Sequence, residues 1–204
     1  MIGSGRTDSG VHATGQVIAF DVEWRHEDSE LLRAINAVLP EAIALQDLMQ
    51  QPGFHPRFDA LSRCYAYTVI NAAQRQPLWN GQAWHVWGRL DIEALHVTAA
   101  LLVGEHDFGT FGSPPQGTST IRKMLHSCWQ VYPEPLGQRL VFEVEGNAFL
   151  YHMVRRMVGM QMDVARGLVT LQTFEAAFRA ADLSLAGTIA PPQGLVFKTV
   201  RYAG

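Results

Sequence analysis

Aspartate, arginine and histidine crowd a glycine-dense opening, Met1-Ile-Gly-Ser-Gly-Arg-Thr-Asp-Ser-Gly-Val-His-Ala13. A dinucleotide-binding G-x-G-x-x-G would need glycine where Asp8 stands, and a strand ahead of it. A phosphate-binding P-loop would need lysine after Gly10, where Val11 follows. Asp8-Ser9-Gly10 matches the core tripeptide of an aspartic protease. That chemistry needs a twin carboxylate, and the sequence holds no second such tripeptide; Arg6 and Thr7 also replace the apolar strand expected before it. Taken alone, the tripeptide is an ordinary Gly/Asp turn.

The second concentration of polar groups lies in Asn147–Gly167, where the pattern predicts a helix. Phe149, Leu150, Met153, Val154, Met157, Val158, Met160 and Val164 cover most of its surface. At 100° per residue, His152, Arg155, Arg156, Gly159, Asp163 and Arg166 fall in one stripe. Such a seam either sets arginine at a cleft or against buried acids, or it faces solvent.

Around these, Gln16–Glu23 alternates as a strand, and Asp28 or Ser29 caps a helix reaching Leu39 before Pro40. Ile43–Met49 reads as a weak strand. Arg63–Asn71 is a better one, with Arg63, Tyr65, Tyr67 and Val69 on one face. Trp84–Trp87 is a short strand, and Asp91 caps a helix carrying Ile92, Leu95, Ala99 and Leu102. Phe108–Arg122 is a long loop; Met124–Tyr132 and Arg139–Gly146 form a hairpin; Thr173–Asp182 is helical, and Leu195–Tyr202 is a closing strand. This mixed order predicts an α+β fold with a largely antiparallel sheet.

The chain has 204 residues, 48% of them hydrophobic and 17% charged, which fits a globular protein and excludes a disordered one. No apolar run approaches the roughly 18 residues of a spanning helix, and no signal peptide is predicted. Cys64 and Cys128 stand alone, without the spacing of a disulfide framework or a zinc module. His12, His55, His106 and His152 share no metal-ligand spacing. The expected compartment is the cytoplasm. Residues 1–57 carry 4 basic and 8 acidic side chains, residues 58–204 carry 12 and 11. A nucleic-acid surface would therefore be a local patch.

The longer strings carry more information than any tripeptide. Gly5-Arg-Thr-Asp-Ser-Gly-Val-His-Ala13 resembles the GRTDxGVHA signature of the tRNA pseudouridine synthase A family. Phe54-His-Pro-Arg-Phe-Asp-Ala60 with Arg63-Cys-Tyr-Ala-Tyr67, then Gly104-Glu-His-Asp-Phe108, resemble further blocks of that family. So do Asn147-Ala-Phe-Leu-Tyr-His-Met-Val-Arg-Arg-Met-Val-Gly159 and Ala190-Pro-Pro-Gln-Gly-Leu195. The order is kept over nearly the whole chain. Ser9 departs from the family's usual alanine. Family members also carry about fifty residues ahead of this signature, so the chain reads as a fragment, with 1–57 a truncated catalytic-loop subdomain and 58–204 a catalytic and RNA-binding subdomain.

The resemblance implies a pseudouridine synthase fold, a mainly antiparallel mixed sheet flanked by helices with the active-site cleft between two subdomains. It implies isomerisation of uridine to pseudouridine in the tRNA anticodon arm, at RNA positions 38 to 40, without a cofactor or metal, by a homodimer. Asp8 is implied as the catalytic aspartate, Arg155 as the basic residue that keeps it ionised, and Tyr65 as the tyrosine stacking on the target base. Leu195 is implied as an apolar wall, and Arg6 as a contact to the nucleotide or its phosphate. Arg57, Arg63, Arg122, Lys123 and Arg156 are further candidates for phosphate contacts. The competing class is a noncatalytic RNA-binding paralogue or fragment.

Overall fold

Alternation along one long strand sets the architecture, and a computed structural model describing residues 1–203 shows how. In chain order the elements are β1 (Ile2–Gly3), β2 (His12–Ala13), β3 (Ile18–Ala19), α1 (Asp28–Val38), β4 (Ala60–Ala72), β5 (Trp84–Val86), α2 (Ile92–Ala100), β6 (Gly104–Asp107), β7 (Ile121–Glu134), β8 (Gly137–Gly146), α3 (Met153–Ala165), α4 (Leu171–Ala180) and β9 (Leu195–Tyr202). Seven strands form one sheet in the order β2-β9-β4-β8-β7-β6, with β5 alongside β4. β2 runs parallel to β9 and β5 parallel to β4, while the other neighbours are antiparallel. β1 and β3 make a separate two-stranded ribbon. β2, ahead of residue 57, is thus the edge strand of the sheet that later residues build. No helix among the described residues is long and apolar enough to cross a membrane.

On β4, Tyr65, Tyr67 and Val69 point into the main core, where they meet Val144, Phe142 and Leu140 of β8. The other parity, Ile70 and Ala72, packs with Ala83 and Trp79 in a small second cluster. The helix α3 lies within the main core and buries Met153, Val154, Met157, Val158, Met160, Met162 and Val164. Helices are therefore needed to cover the sheet's inner face, as period-2 burial on the strands and period-3.6 burial on α3 require.

Three expectations from the sequence are corrected. Helix α3 starts at Met153, not Asn147. Asn147 exchanges two hydrogen bonds with Lys123, and Tyr151 N donates to Ser113 O, so tertiary partners take the lead-in away from the helix. Ile43–Met49 forms no strand, because Asn36 of α1 bonds both Leu45 N and Leu45 O through its side-chain amide. Of Gln16–Glu23, only Ile18–Ala19 pairs, against the short β1. Gly104–Asp107, read only as part of a motif, is a strand pairing with β7.

The polar seam of α3 explains where the segment between α4 and β9 goes. Asp163, buried at 6%, accepts hydrogen bonds from Thr188 N and Oγ1 at 3.0 and 2.9 Å. One turn earlier, a side chain at Gly159 would overlap the carbonyl oxygen of Thr188. The backbones therefore touch because Gly159 has no Cβ. In an open helix, Gly→Ala gains about 1 kcal/mol. Here the sign reverses: Gly159→Ala should lower stability by about 1–3 kcal/mol through overpacking. A urea midpoint that falls with unchanged slope checks this; a rising midpoint would show that Thr188 is not seated on α3.

Candidate active site

The loop that carries Asp8 leaves β1 and returns through β2, and it is tied down at its start. Ser4, 1% exposed, donates from Oγ to Gln16 Oε1 at 2.7 Å, and Gln16 Nε2 donates to Gly5 O at 2.9 Å. Val11 N closes a turn on Asp8 O at 3.1 Å. Gly10 supplies φ 83 in that turn, a left-handed conformation suited to glycine, and packs against Pro192.

Asp8 then meets the start of α3. Arg155 Nη1 donates to Asp8 Oδ2 at 2.8 Å. The same guanidinium is fixed from behind, since Nε donates to Ala190 O at 2.8 Å while Ala190 N donates to Arg155 O at 3.1 Å. Arg155 is 13% and Asp8 27% exposed at the side chain, so the pair is screened only in part by solvent. His152 Nε2 lies 3.5 Å from the same oxygen, Oδ2. Asp8 Oδ1 takes no side-chain hydrogen bond among the described residues. The first turn of α3 holds no acidic residue of its own.

Tyr65 occupies the floor. Its ring stacks on Phe197 of β9, centroids 4.8 Å apart, and meets Phe149 edge-on at 4.9 Å. Burial pushes the Tyr65 phenol up to about 12; the charge of Arg63 opposes the rise and that of Asp8 adds to it. At neutral pH Tyr65 is therefore a phenol, a donor rather than a base. Tyr67, one step along β4 on the same face, donates to Pro191 O at 2.7 Å and anchors the segment that holds Arg155. Burial raises its phenol pKa far above the ordinary range.

Arg6, Asp8, Tyr65, Arg155 and Leu195, all foreseen from the sequence, line one open cleft, with Val11, Phe149, Leu150 and His152 among its other walls. Arg6 is exposed at the cleft, and Leu195 is buried in its wall.

Arg57, Arg63 and Arg122 do not line the cleft. Arg63 is not free for a phosphate: it donates to Asn147 O at 2.9 Å and to the carbonyls of Ala60, Arg57 and Ser4. It is a staple between the Asp8 loop and the lead-in to α3. Arg122 donates to Ser119 O and Ile121 O, holding its own loop. Arg57 is half-buried, and its side chain makes no hydrogen bond among the described residues. Arg156 donates to Tyr151 O, and Arg166 is exposed. The carbonyl of Ala190 and the ring of Phe197 were not singled out from the sequence. The first lay inside the Ala190–Leu195 block, the second on the closing strand.

A single carboxylate held by arginine beside a stacked tyrosine, on a mostly antiparallel sheet flanked by helices, fits the pseudouridine synthase class of α+β proteins that the sequence resemblance implies. Residues 98–203 match a family model described as tRNA pseudouridine synthase. Over 201 residues the chain is 40% identical to the tRNA pseudouridine synthase A of Chloroflexus aurantiacus, covering 98% of this chain and 72% of the relative. It is 37% identical over 201 residues to that of Geotalea daltonii, covering 98% and 81%. With that of Roseiflexus castenholzii it shares 37% over 206 residues, covering 99% and 75%. The chain belongs to the tRNA pseudouridine synthase A family.

Proposed function

We propose that this protein converts uridine to pseudouridine in the anticodon arm of tRNA, at RNA positions 38 to 40, acting as a homodimer. The observation that carries the reading is the Arg155–Asp8 pair at 2.8 Å in an aromatic-walled cleft. The reaction breaks the N1–C1′ bond, turns the uracil and joins C5 to C1′; C5 loses a proton and N1 gains one. It is redox-neutral and transfers no group to or from a second molecule.

The side chains suit these steps. A target base inside the duplex is out of reach, so the nucleotide must be turned out of its stack into the cleft. Tyr65, backed by Phe197 and Phe149, offers it a flat partner. Leu195, Val11 and Leu150 keep water from the detached uracil. Asp8 offers Oδ1 to the sugar, either attacking C1′ or taking a sugar proton, while Arg155 holds Oδ2. Arg6 at the cleft reaches toward the displaced nucleotide or its phosphate. With a net charge of −3, the protein must gather RNA by such local cations, not by its overall field.

Tritium release from tRNA labelled at C5 of uridine tests the reading with the chain as it stands. Release from the anticodon arm, with pseudouridine mapped to positions 38 to 40, is the expected result. Binding of tRNA without release would instead assign the chain to noncatalytic RNA binding.

A further inference from the structure

One polar group on the cleft wall has no task in the chemistry above. His152, the residue just before α3, has φ 58 and ψ 11. That is a left-handed conformation in which asparagine, aspartate and histidine are enriched among non-glycine residues. Such conformations persist where the surroundings over-determine them, and they collect at working sites. Here the conformation accompanies a ring set over the Asp8 loop, with Nε2 3.5 Å from Asp8 Oδ2. Arg155 holds the same oxygen at 2.8 Å. Both basic groups converge on one oxygen and leave Oδ1 open. At 3.5 Å the histidine is beyond good hydrogen-bond length, so it attracts Oδ2 only when its ring is protonated.

The charged and titratable groups around the imidazole come from every element at the cleft. Asp8 and Arg6 belong to the N-terminal loop, Tyr65 to β4, and Arg155 and Arg156 to the first turn of α3. The Tyr151 ring lies 5.8 Å away. Arginine keeps its charge at all ordinary pH, and a buried phenol stays neutral. Imidazole is the side-chain type among them that exchanges a proton near neutrality.

We propose that His152 is a positioning residue for Asp8: its protonated imidazole shares Oδ2 with Arg155 and keeps Oδ1 turned into the cleft, so the charge on His152 modulates the rate of isomerisation. The proposal rests on the uridine-isomerase reading. The sign follows from the charge. Imidazolium is present on the acid side and is lost as pH rises, so the contribution is largest at low pH and fades toward alkaline pH.

His152→Asn is the informative variant, because asparagine tolerates the left-handed backbone and keeps a neutral donor while removing the charge. At saturating tRNA, single-turnover tritium release by the native protein should exceed that of His152→Asn about fivefold near pH 6, the scale of one partly exposed ion pair. The two should converge by about pH 8.5, with equal tRNA affinity throughout. A ratio independent of pH, or weaker tRNA binding with an unchanged rate, overturns the proposal. An RNA-free measurement separates it from the synthase reading. The 13C signal of the Asp8 carboxyl carbon should show a titration step that His152→Asn removes. The step without tritium release would sink the synthase reading and leave the pair standing; release without the step would sink the pair alone.

Discussion

Replacing Asp8 by asparagine abolishes pseudouridine formation and leaves fold and tRNA affinity in place. The amide matches the carboxylate in shape and can still accept from Arg155 at the position of Oδ2, so the loop anchored by Ser4 and Gln16 keeps its path. What is lost is the charge on Oδ1, the oxygen that Arg155 leaves open. Removing a group of this kind typically lowers the rate by about a thousandfold or more. Affinity for tRNA is spread over many phosphate contacts and does not depend on one carboxylate in the cleft. Tritium release and filter binding, measured side by side on Asp8→Asn, decide the matter. Turnover within tenfold of the native rate would remove Asp8 from the chemistry.

Arg155→Ala loses far more activity than Arg156→Ala or Arg166→Ala, although all three lie on the same seam of α3. Arg155 is 13% exposed and joins Asp8 to Ala190 O. Arg156 reaches only Tyr151 O, and Arg166 faces solvent. Deleting one partner of a fully buried pair costs about 3–5 kcal/mol. Asp8 retains 27% exposure, so solvent recovers part of this, and about 2–3 kcal/mol remains, roughly a thirtyfold to 150-fold loss of rate. Arg155→Lys should not restore it, since an ammonium cannot hold Ala190 O and Asp8 together as a planar fork does. Equal single-turnover losses for the three alanine variants would reduce Arg155 to one surface arginine among several.

The parts of the fold set by local periodicity were legible in the sequence. The inward parity of Tyr65, Tyr67 and Val69 and the closing strand Leu195–Tyr202 are as the alternation predicts. Asp91 caps α2 by accepting from Ala94 N. The seam of α3 was legible as a stripe, but its partner was not. Nothing in the spacing of Arg155, Gly159 and Asp163 says that Thr188 and Ala190 dock there, because that segment meets the seam mainly through its backbone N–H and C=O groups. For the same reason Arg63 was misread: a guanidinium that serves carbonyls looks, in sequence, like one that serves phosphates. Ile43–Met49 misled in the opposite direction. Its apolar residues suit a strand, yet the Asn36 amide satisfies Leu45, and Ile43 and Met49 stay exposed.

The clamp on Arg155 also fixes when, in the life of a chain, the protein can become competent. Asp8 and Arg155 are 147 positions apart, and the carbonyl that aims the guanidinium belongs to Ala190. On a ribosome adding about 5–20 residues per second, roughly 10–40 s separate the appearance of residue 8 from that of residue 190. For most of that interval the aspartate loop exists without its cation, and for the rest without the carbonyl that aims it; contacts of such long range are among the slowest to form afterwards. A nascent chain therefore carries the reactive carboxylate early and acquires the means of directing it only once residue 190 has been added.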